Sequence, residues 1–230
     1  MSGETFAKEI PAVMVAGGRP FNPAAIAAMI SKGFGGIEKP FVAYIGTANN
    51  DNPVFYHLMK SMIKKAGAGK ISFVHLAKKK PELDAARKTL ANADVIFLSG
   101  GEVEDGMNWL KKHDLVGFLK ELYSKGKRFV GVSAGVIMMG THWVRWGTEG
   151  DDSTSELFEC LAFTPVLFDV HGEDENWVEL KAALKLLGPG AQGYGLPGGC
   201  MISADSKGNL KNLEKEFMVF INEGGNIRVQ

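Results

Sequence analysis

Ser133 lies in Gly131-Val132-Ser133-Ala134-Gly135, between the apolar run Phe129 to Val132 and the helical pattern that follows at once. This is G-x-S-x-G at a strand-to-helix turn. Small flanking residues suit it, because the serine of such an elbow occupies a tight, strained bend. The bend would lift Oγ to the C-terminal edge of a sheet, and the next helix would aim main-chain N–H groups at the same point. A serine so placed is a candidate nucleophile. An inert serine in a tight turn is the alternative.

A serine nucleophile needs a base, and histidine is the usual one. The chain has five histidines. His57 and His113 belong to helical patterns and His75 to a strand. His142 is separated from Ser133 by one short helix and is expected to point away. His171 directly follows the apolar strand Val166 to Val170 and opens the loop Gly172-Glu173-Asp174-Glu175-Asn176. That is a strand C-terminus, on the same edge as Ser133 provided the two strands run parallel. His171 is the candidate base.

A third element is a site for a developing negative charge. Val95 to Leu98 is a strand that ends in Ser99-Gly100-Gly101. Paired glycines let a main-chain N–H approach a ligand closely. The N–H of Gly101 and that of Ala134, just after the serine, could together form an oxyanion hole. Gly17-Gly18 after the first strand shares the ambiguity between a site and a plain turn. No G-x-G-x-x-G follows a strand and no G-x-x-x-x-G-K-[ST] occurs, so dinucleotide and phosphate-loop chemistry are not indicated.

These residues need a scaffold that gathers strand ends. Six apolar runs read as buried strands: 12–16, 41–46, 71–76, 95–98, 129–132 and 166–170. Most are continuous rather than alternating, as in strands covered on both faces. Helical patterns fall at 23–32, 53–66, 81–91 and 115–124, with Pro23 and Pro53 suited to first turns. The alternation predicts an α/β fold with a mainly parallel sheet sandwiched by helices. From Thr141 the rhythm changes. Residues 142–146 alternate and an acidic, glycine-containing stretch follows, which predicts a hairpin beside the sheet. Residues 175–187 return to helix, and 194–213 read as short strands. No linker or repeat divides the chain, so one domain over residues 1–230 is expected.

Composition narrows the partners. Lys and Arg total 26 and so do Asp and Glu, which leaves no net field to attract nucleic acid or an anionic membrane. No apolar run approaches the roughly 20 residues of a membrane span. The N-terminus shows no signal-peptide pattern. Cys160 and Cys200 are too few for a disulfide framework or a four-cysteine zinc site, and they read as buried small hydrophobes. A cytoplasmic setting is expected, with no metal and no organic cofactor.

Taken together, Phe97 to Gly101, Gly131 to Gly135, Phe168 to His171 and Gly195 to Gly199 resemble peptidase family S51, the dipeptidase E and cyanophycinase group of serine peptidases. Their order and spacing agree over roughly residues 10 to 205. The resemblance implies a fold like that of class I glutamine amidotransferases, which is flavodoxin-like, with Ser in place of Cys at the elbow. It implies Ser133 as nucleophile, His171 as base, and Gly101 and Ala134 as oxyanion donors, with Gly100 and Glu102 beside the substrate. It also implies a triad acid about fifteen to eighteen residues after the serine. That window holds Glu149, Asp151 and Asp152, of which Glu149 is chosen.

Two departures bear on specificity. Glu102 stands where the dipeptidase E type has Asn. The stretch after His171 is acidic, with no Arg or Lys before Lys181. Such a rim repels an aspartyl side chain and attracts a cationic side chain or a free α-amino group. The expected function is a serine peptidase of small peptides, dipeptidase- or aminopeptidase-like, with a homodimer left open. An esterase or amidase using the same elbow, or a catalytically silent binding member of the fold, are the alternatives.

Overall fold

The structure is a computed structural model, and it describes residues 10–17, 22–148 and 151–230. Five parallel strands form the body of the main sheet: β1 (Ala12–Val15), β2 (Phe41–Ile45), β3 (Lys70–Val74), β4 (Val95–Leu98) and β5 (Arg128–Val132). Antiparallel β10 (Met201–Ala204) and β11 (Leu210–Glu214) extend it beyond β1, giving the order β11-β10-β1-β5-β4-β2-β3. This is the mainly parallel sheet that the alternating sequence predicts.

Alternate residues of each strand serve opposite layers. Val13, Val15, Val130 and Val132 pack toward α1 (Pro23–Gly33) and α2 (Pro53–Lys65). Ala12, Met14 and Phe129 pack toward the other face. That face is covered by α4 (Val103–Lys112), α5 (Val116–Ser124) and α6 (Ala134–Met139), together with α3 (Leu83–Asn92). Two helices start alike for a visible reason. Asn22 accepts from Ala24 and Ala25 N–H at 3.1 Å each, and Asn52 accepts from Val54 and Phe55 N–H at 2.9 and 3.1 Å. In each case a proline takes the first helical position, where no N–H is needed.

The structure departs from the sequence pattern in three places. A helix, α4, lies between β4 and α5 where none is expected. Its buried stripe of Val103, Gly106, Met107 and Leu110 is narrow, with Glu104, Asp105 and Asn108 on the other face. Beyond residue 213, β12 (Met218–Glu223) and β13 (Asn226–Val229) form a hairpin across Gly224-Gly225. Two glycines between extended runs are a recognisable turn signal.

The third departure concerns His171. Its strand, β8 (Leu167–Val170), is not in the main sheet. It pairs in parallel with β9 (Gln192–Leu196) in a second, four-stranded sheet of order β13-β12-β9-β8. The condition under which sequence placed it on the serine's edge is therefore not met. This smaller sheet has its own core of Leu167, Trp177, Leu180, Leu184 and Phe220, beneath α7 (Val178–Leu187). A separate hairpin of β6 (His142–Trp146) and β7 (Ser155–Glu159) lies alongside, as the alternating pattern predicts. Arg145 fastens it to α4, donating to Glu104 at 2.7 Å while its Nε donates to Glu156 at 2.8 Å.

Candidate active site

The site begins at the end of β5. Ser133 has φ 54° and ψ −122°, a conformation that L-residues seldom adopt and that a surrounding structure must enforce. The enforcement is local. Ser133 N–H donates to Val15 C=O at 3.1 Å, and its own C=O accepts from Val136 N–H at 2.7 Å. The flanking glycines leave room for α6 to close onto the sheet. A Cβ at Gly135 would lie 2.3 Å from Leu98 C=O, and one at Gly131 would lie 2.6 Å from Gly135 C=O. The G-x-S-x-G spacing is thus a packing requirement as well as a chemical one.

The loop after β4 is held against this elbow. Gly100 abuts the serine, since a Cβ there would lie 3.1 Å from Ser133 Cβ. Gly101 has φ 141°, and a Cβ would meet Ala48 C=O at 2.0 Å, so only glycine fits. A network beneath fixes the loop. Tyr44 O–H donates to Ser99 Oγ at 2.7 Å, and Asn49 Nδ2 donates to Ser99 Oγ at 3.1 Å and to Gly100 C=O at 2.9 Å. Glu102 N–H donates to Ala48 C=O. Among the described residues, neither Gly101 N–H nor Ala134 N–H has a hydrogen-bond partner.

His171 arrives from the second sheet. It too has positive φ, 62°, and its N–H donates to Leu196 C=O at 3.2 Å. Its imidazole lies over the end of β1. A Cβ at Gly17 would be 3.8 Å from His171 Cε1 and 3.9 Å from Nε2. Strand β1 is the direct neighbour of β5, with Val15 opposite Val132. The imidazole therefore sits at the end of the strand next to the serine's own.

A cleft of about 180 Å³ is lined by Gly101, Glu102, Ser133, Ala134 and His171, so five of the sequence-predicted residues meet in one place. Gly100 flanks it through the serine. Glu149, chosen as the acid, lies outside the described residues. Asp151 is described, and its carboxylate accepts from Ser153 N–H and Oγ–H within its own turn, at 3.0 and 2.6 Å. Asp152 lies in a short 3₁₀ turn just before β7.

Trp143, Asp169 and Glu179 line the same cleft, and sequence reasoning gave Asp169 and Glu179 no role there. Trp143 Nε1–H donates to Glu179 Oε2 at 2.7 Å. Asp169 is 5% exposed and accepts from Val170 N–H at 2.7 Å and from Leu180 N–H. Burial, and next the charges of Glu179 and Glu175, push its carboxyl up to about 7. Burial also raises Glu179, reinforced by Glu175 and Glu102 and opposed by the Trp143 bond. An aspartate inside the apolar strand Leu167-Phe168-Asp169-Val170 was the available signal, since a buried carboxylate in such a run is costly. A larger, outer cleft of about 650 Å³ continues past His171 to Glu173, Asp174 and Glu175. No group of three His, Cys, Asp or Glu side chains among the described residues is arranged to hold a metal ion.

The other histidines are elsewhere. His113 is buried under Leu76 C=O, 3.0 Å from Nε2, and stacks on Trp109. His142 lines a narrow crevice behind Asp169 and Glu179. Cys160 and Cys200 are free and buried, and burial pushes their thiols up to about 12 and about 11.

The family model for peptidase family S51 matches residues 13–211. The chain belongs to peptidase family S51. It is accordingly a serine peptidase by family. A comparison with curated proteins finds no match. Among solved structures, this S51 chain is similar to a peptidase from an acI-B1 Actinobacterium, at 18% identity and TM-score 0.67, over 95% of this chain and 93% of that one. It is also similar to a putative peptidase E protein from Listeria monocytogenes EGD-e, at 14% identity and TM-score 0.65, over 90% and 98% of the two chains. At these identities the likeness shows a shared fold.

Proposed function

We propose that this S51 chain hydrolyses small peptides, as a dipeptidase or aminopeptidase, through an acyl-enzyme. Ser133 Oγ attacks the scissile carbonyl while His171 takes its proton. The N–H groups of Gly101 and Ala134 bind the oxyanion of the tetrahedral intermediate. His171 then protonates the leaving amine as the C–N bond breaks. Water, deprotonated by the same imidazole, attacks the acyl carbon and returns Ser133. Glu149 serves as the acid that orients His171, in the order Ser, Glu, His, with Asp151 and Asp152 as the alternatives.

The observation that carries this reading is the shared cleft. Ser133 in its strained elbow, His171, and Gly101 and Ala134 with their unpartnered N–H groups line one small cleft. The inner cleft of about 180 Å³ opens past His171 into the outer one of about 650 Å³. The chemistry asks for side chains and main chain only, which fits action without a metal or organic cofactor. No helix among the described residues is long and apolar enough to cross a membrane. With two buried free thiols, a reducing cytoplasmic setting is the one we propose.

The test is covalent labelling of Ser133 by a fluorophosphonate, alongside hydrolysis of a dipeptide panel. Labelling of the wild type and none of Ser133→Ala, with peptide turnover lost in the variant, is expected. Turnover of esters but of no peptide would replace this reading with an esterase. Absence of labelling would replace it with a non-catalytic member of the family.

A further inference from the structure

The cleft around Ser133 carries more negative charge than acyl transfer uses. Glu179, from α7, and Glu102, at the start of α4, both line it, with Asp169 between strand and helix behind them. Glu179 is not a loose surface group. It is mostly buried and seated by the Trp143 indole N–H at 2.7 Å. The N-terminal turn of α7 helps Asp169 through Leu180 N–H, but no Lys or Arg is among the described residues lining the inner or outer cleft. His142 faces Asp169 and Glu179 from the far side, across the narrow crevice.

Carboxylates held in a low-dielectric cleft without a cation carry a desolvation cost that an incoming cation relieves. That a ligand enters here follows independently from the other wall. The unpartnered N–H groups of Gly101 and Ala134 call for a polarised carbonyl oxygen beside Ser133. A peptide placed with its carbonyl on that wall brings its neighbouring groups within reach of the acidic wall, because the inner cleft is only about 180 Å³.

We propose that Glu179, seated by Trp143 and sharing the Ser133 cleft with Glu102, receives a primary ammonium group of the peptide substrate and so determines specificity. The proposal rests on the peptidase reading above and names its substrate class. The ammonium comes either from the free α-amino group of the residue being acylated or from a lysine side chain at that residue. Glu173, Asp174 and Glu175 along the outer cleft draw such peptides in and turn acidic ones away.

The test uses Ser133→Ala, which binds peptides without turning them over, titrated by NMR with Ala-Ala, N-acetyl-Ala-Ala and N-acetyl-Lys-Ala. Ala-Ala is expected to bind at least about tenfold more tightly than N-acetyl-Ala-Ala, as for a charge-assisted contact. Recovery of affinity by N-acetyl-Lys-Ala would assign the side chain rather than the α-amino group as the source. Adding Glu179→Gln, which keeps an acceptor for Trp143, should bring the cation preference close to unity. Asp174→Asn, out on the rim, should change affinity by less than about threefold. A preference untouched by Glu179→Gln, no preference at all, or no dipeptide binding would overturn the proposal. Wild-type hydrolysis, run in parallel, separates the two readings. Cation-selective binding without turnover of any peptide would sink the peptidase assignment alone. Turnover without cation selectivity would sink this one alone.

Discussion

The two walls of the cleft are built in different ways. On the Ser133 wall, three adjacent parallel strands, β1, β5 and β4, end together, and every oddity of the backbone has a local cause. The serine's positive φ is held by Val15 and Val136, and the Gly100-Gly101 loop by Tyr44, Asn49 and Ser99. On the opposite wall, β8 and α7 belong to a smaller sheet with its own core, and they bring His171, Asp169 and Glu179. There His171, Asn176 and Trp177 also have positive φ, and the tension that sets this wall apart is electrostatic. One wall stores conformational strain to present a nucleophile. The other stores uncompensated charge beside the base.

The comparison can be broken most sharply at the reacting groups. Ser133→Ala and His171→Ala should each lower kcat/KM for a cleavable dipeptide by about 10⁴-fold or more, because triad members act as a unit. A loss under tenfold for His171→Ala, measured by steady-state kinetics, would detach the second wall from catalysis.

Strain on the first wall is tested at Gly101. Gly101→Ala forces a Cβ to within 2.0 Å of Ala48 C=O, so the loop must move. Loss of one oxyanion donor costs about 10²–10³ in kcat. The expected result is a drop of that order in kcat with KM changed little. An unchanged kcat would mean that Gly101 N–H is not a donor to the transition state.

Asn49→Ala removes the side chain that ties Ser99 Oγ to Gly100 C=O. Asn49 Nδ2 donates to Ser99 Oγ and Gly100 C=O, so it acts by positioning the loop. A fall of about tenfold in kcat is expected, with labelling of Ser133 by a small fluorophosphonate nearly preserved. Equal losses in labelling and turnover would instead indicate general unfolding of the site.

The smallest effect concerns charge on the second wall. Asp169 has a carboxyl raised from 3.8 to about 7, chiefly by burial and then by Glu179 and Glu175. Between those values the folded chain holds a proton that the unfolded chain has released. Its contribution to stability is therefore full below the lower value and is lost as pH rises through about 7. Asp169→Asn should raise the melting temperature at about pH 8 by roughly 2–6 °C and flatten its fall between about pH 4 and pH 7. A variant that melts lower at every pH would show that the carboxylate's bonds to Val170 and Leu180 N–H outweigh its desolvation.

How much of this could be read in the chain differs between the walls for the same reason that they are built differently. The Ser133 wall is local in sequence. Strand, glycine, serine, glycine and helix follow one another, and the two glycines are required by contacts within the same turn and the next strand. The parallel body of the sheet was legible too, because strands covered on both faces leave continuous apolar runs. The helix α4 was missed although Val103, Met107 and Leu110 stand at helical spacing, because only three large apolar residues mark its stripe.

His171 was found from a strand end and from family order, but its route was not. Residues 167–170 carry no mark that they pair with 193–196 rather than with the main sheet, because pairing partners are chosen by three-dimensional packing. The pairing of Glu179 with Trp143 was silent in sequence for a related reason. They stand 36 residues apart, and nothing but the docking of α7 beside β6 brings indole and carboxylate to 2.7 Å.

What the sequence determined by itself is the order of strand, small residues and helix that marks the nucleophile's bend. The contacts that enforce it, from Val15, Leu98 and Ala48, come from distant stretches. What only the tertiary structure decided is the composition of the facing wall, where charge, base and aromatic ring come from three separate stretches. Their energies depend on burial and on mutual distance, and neither quantity exists until the two sheets have come together.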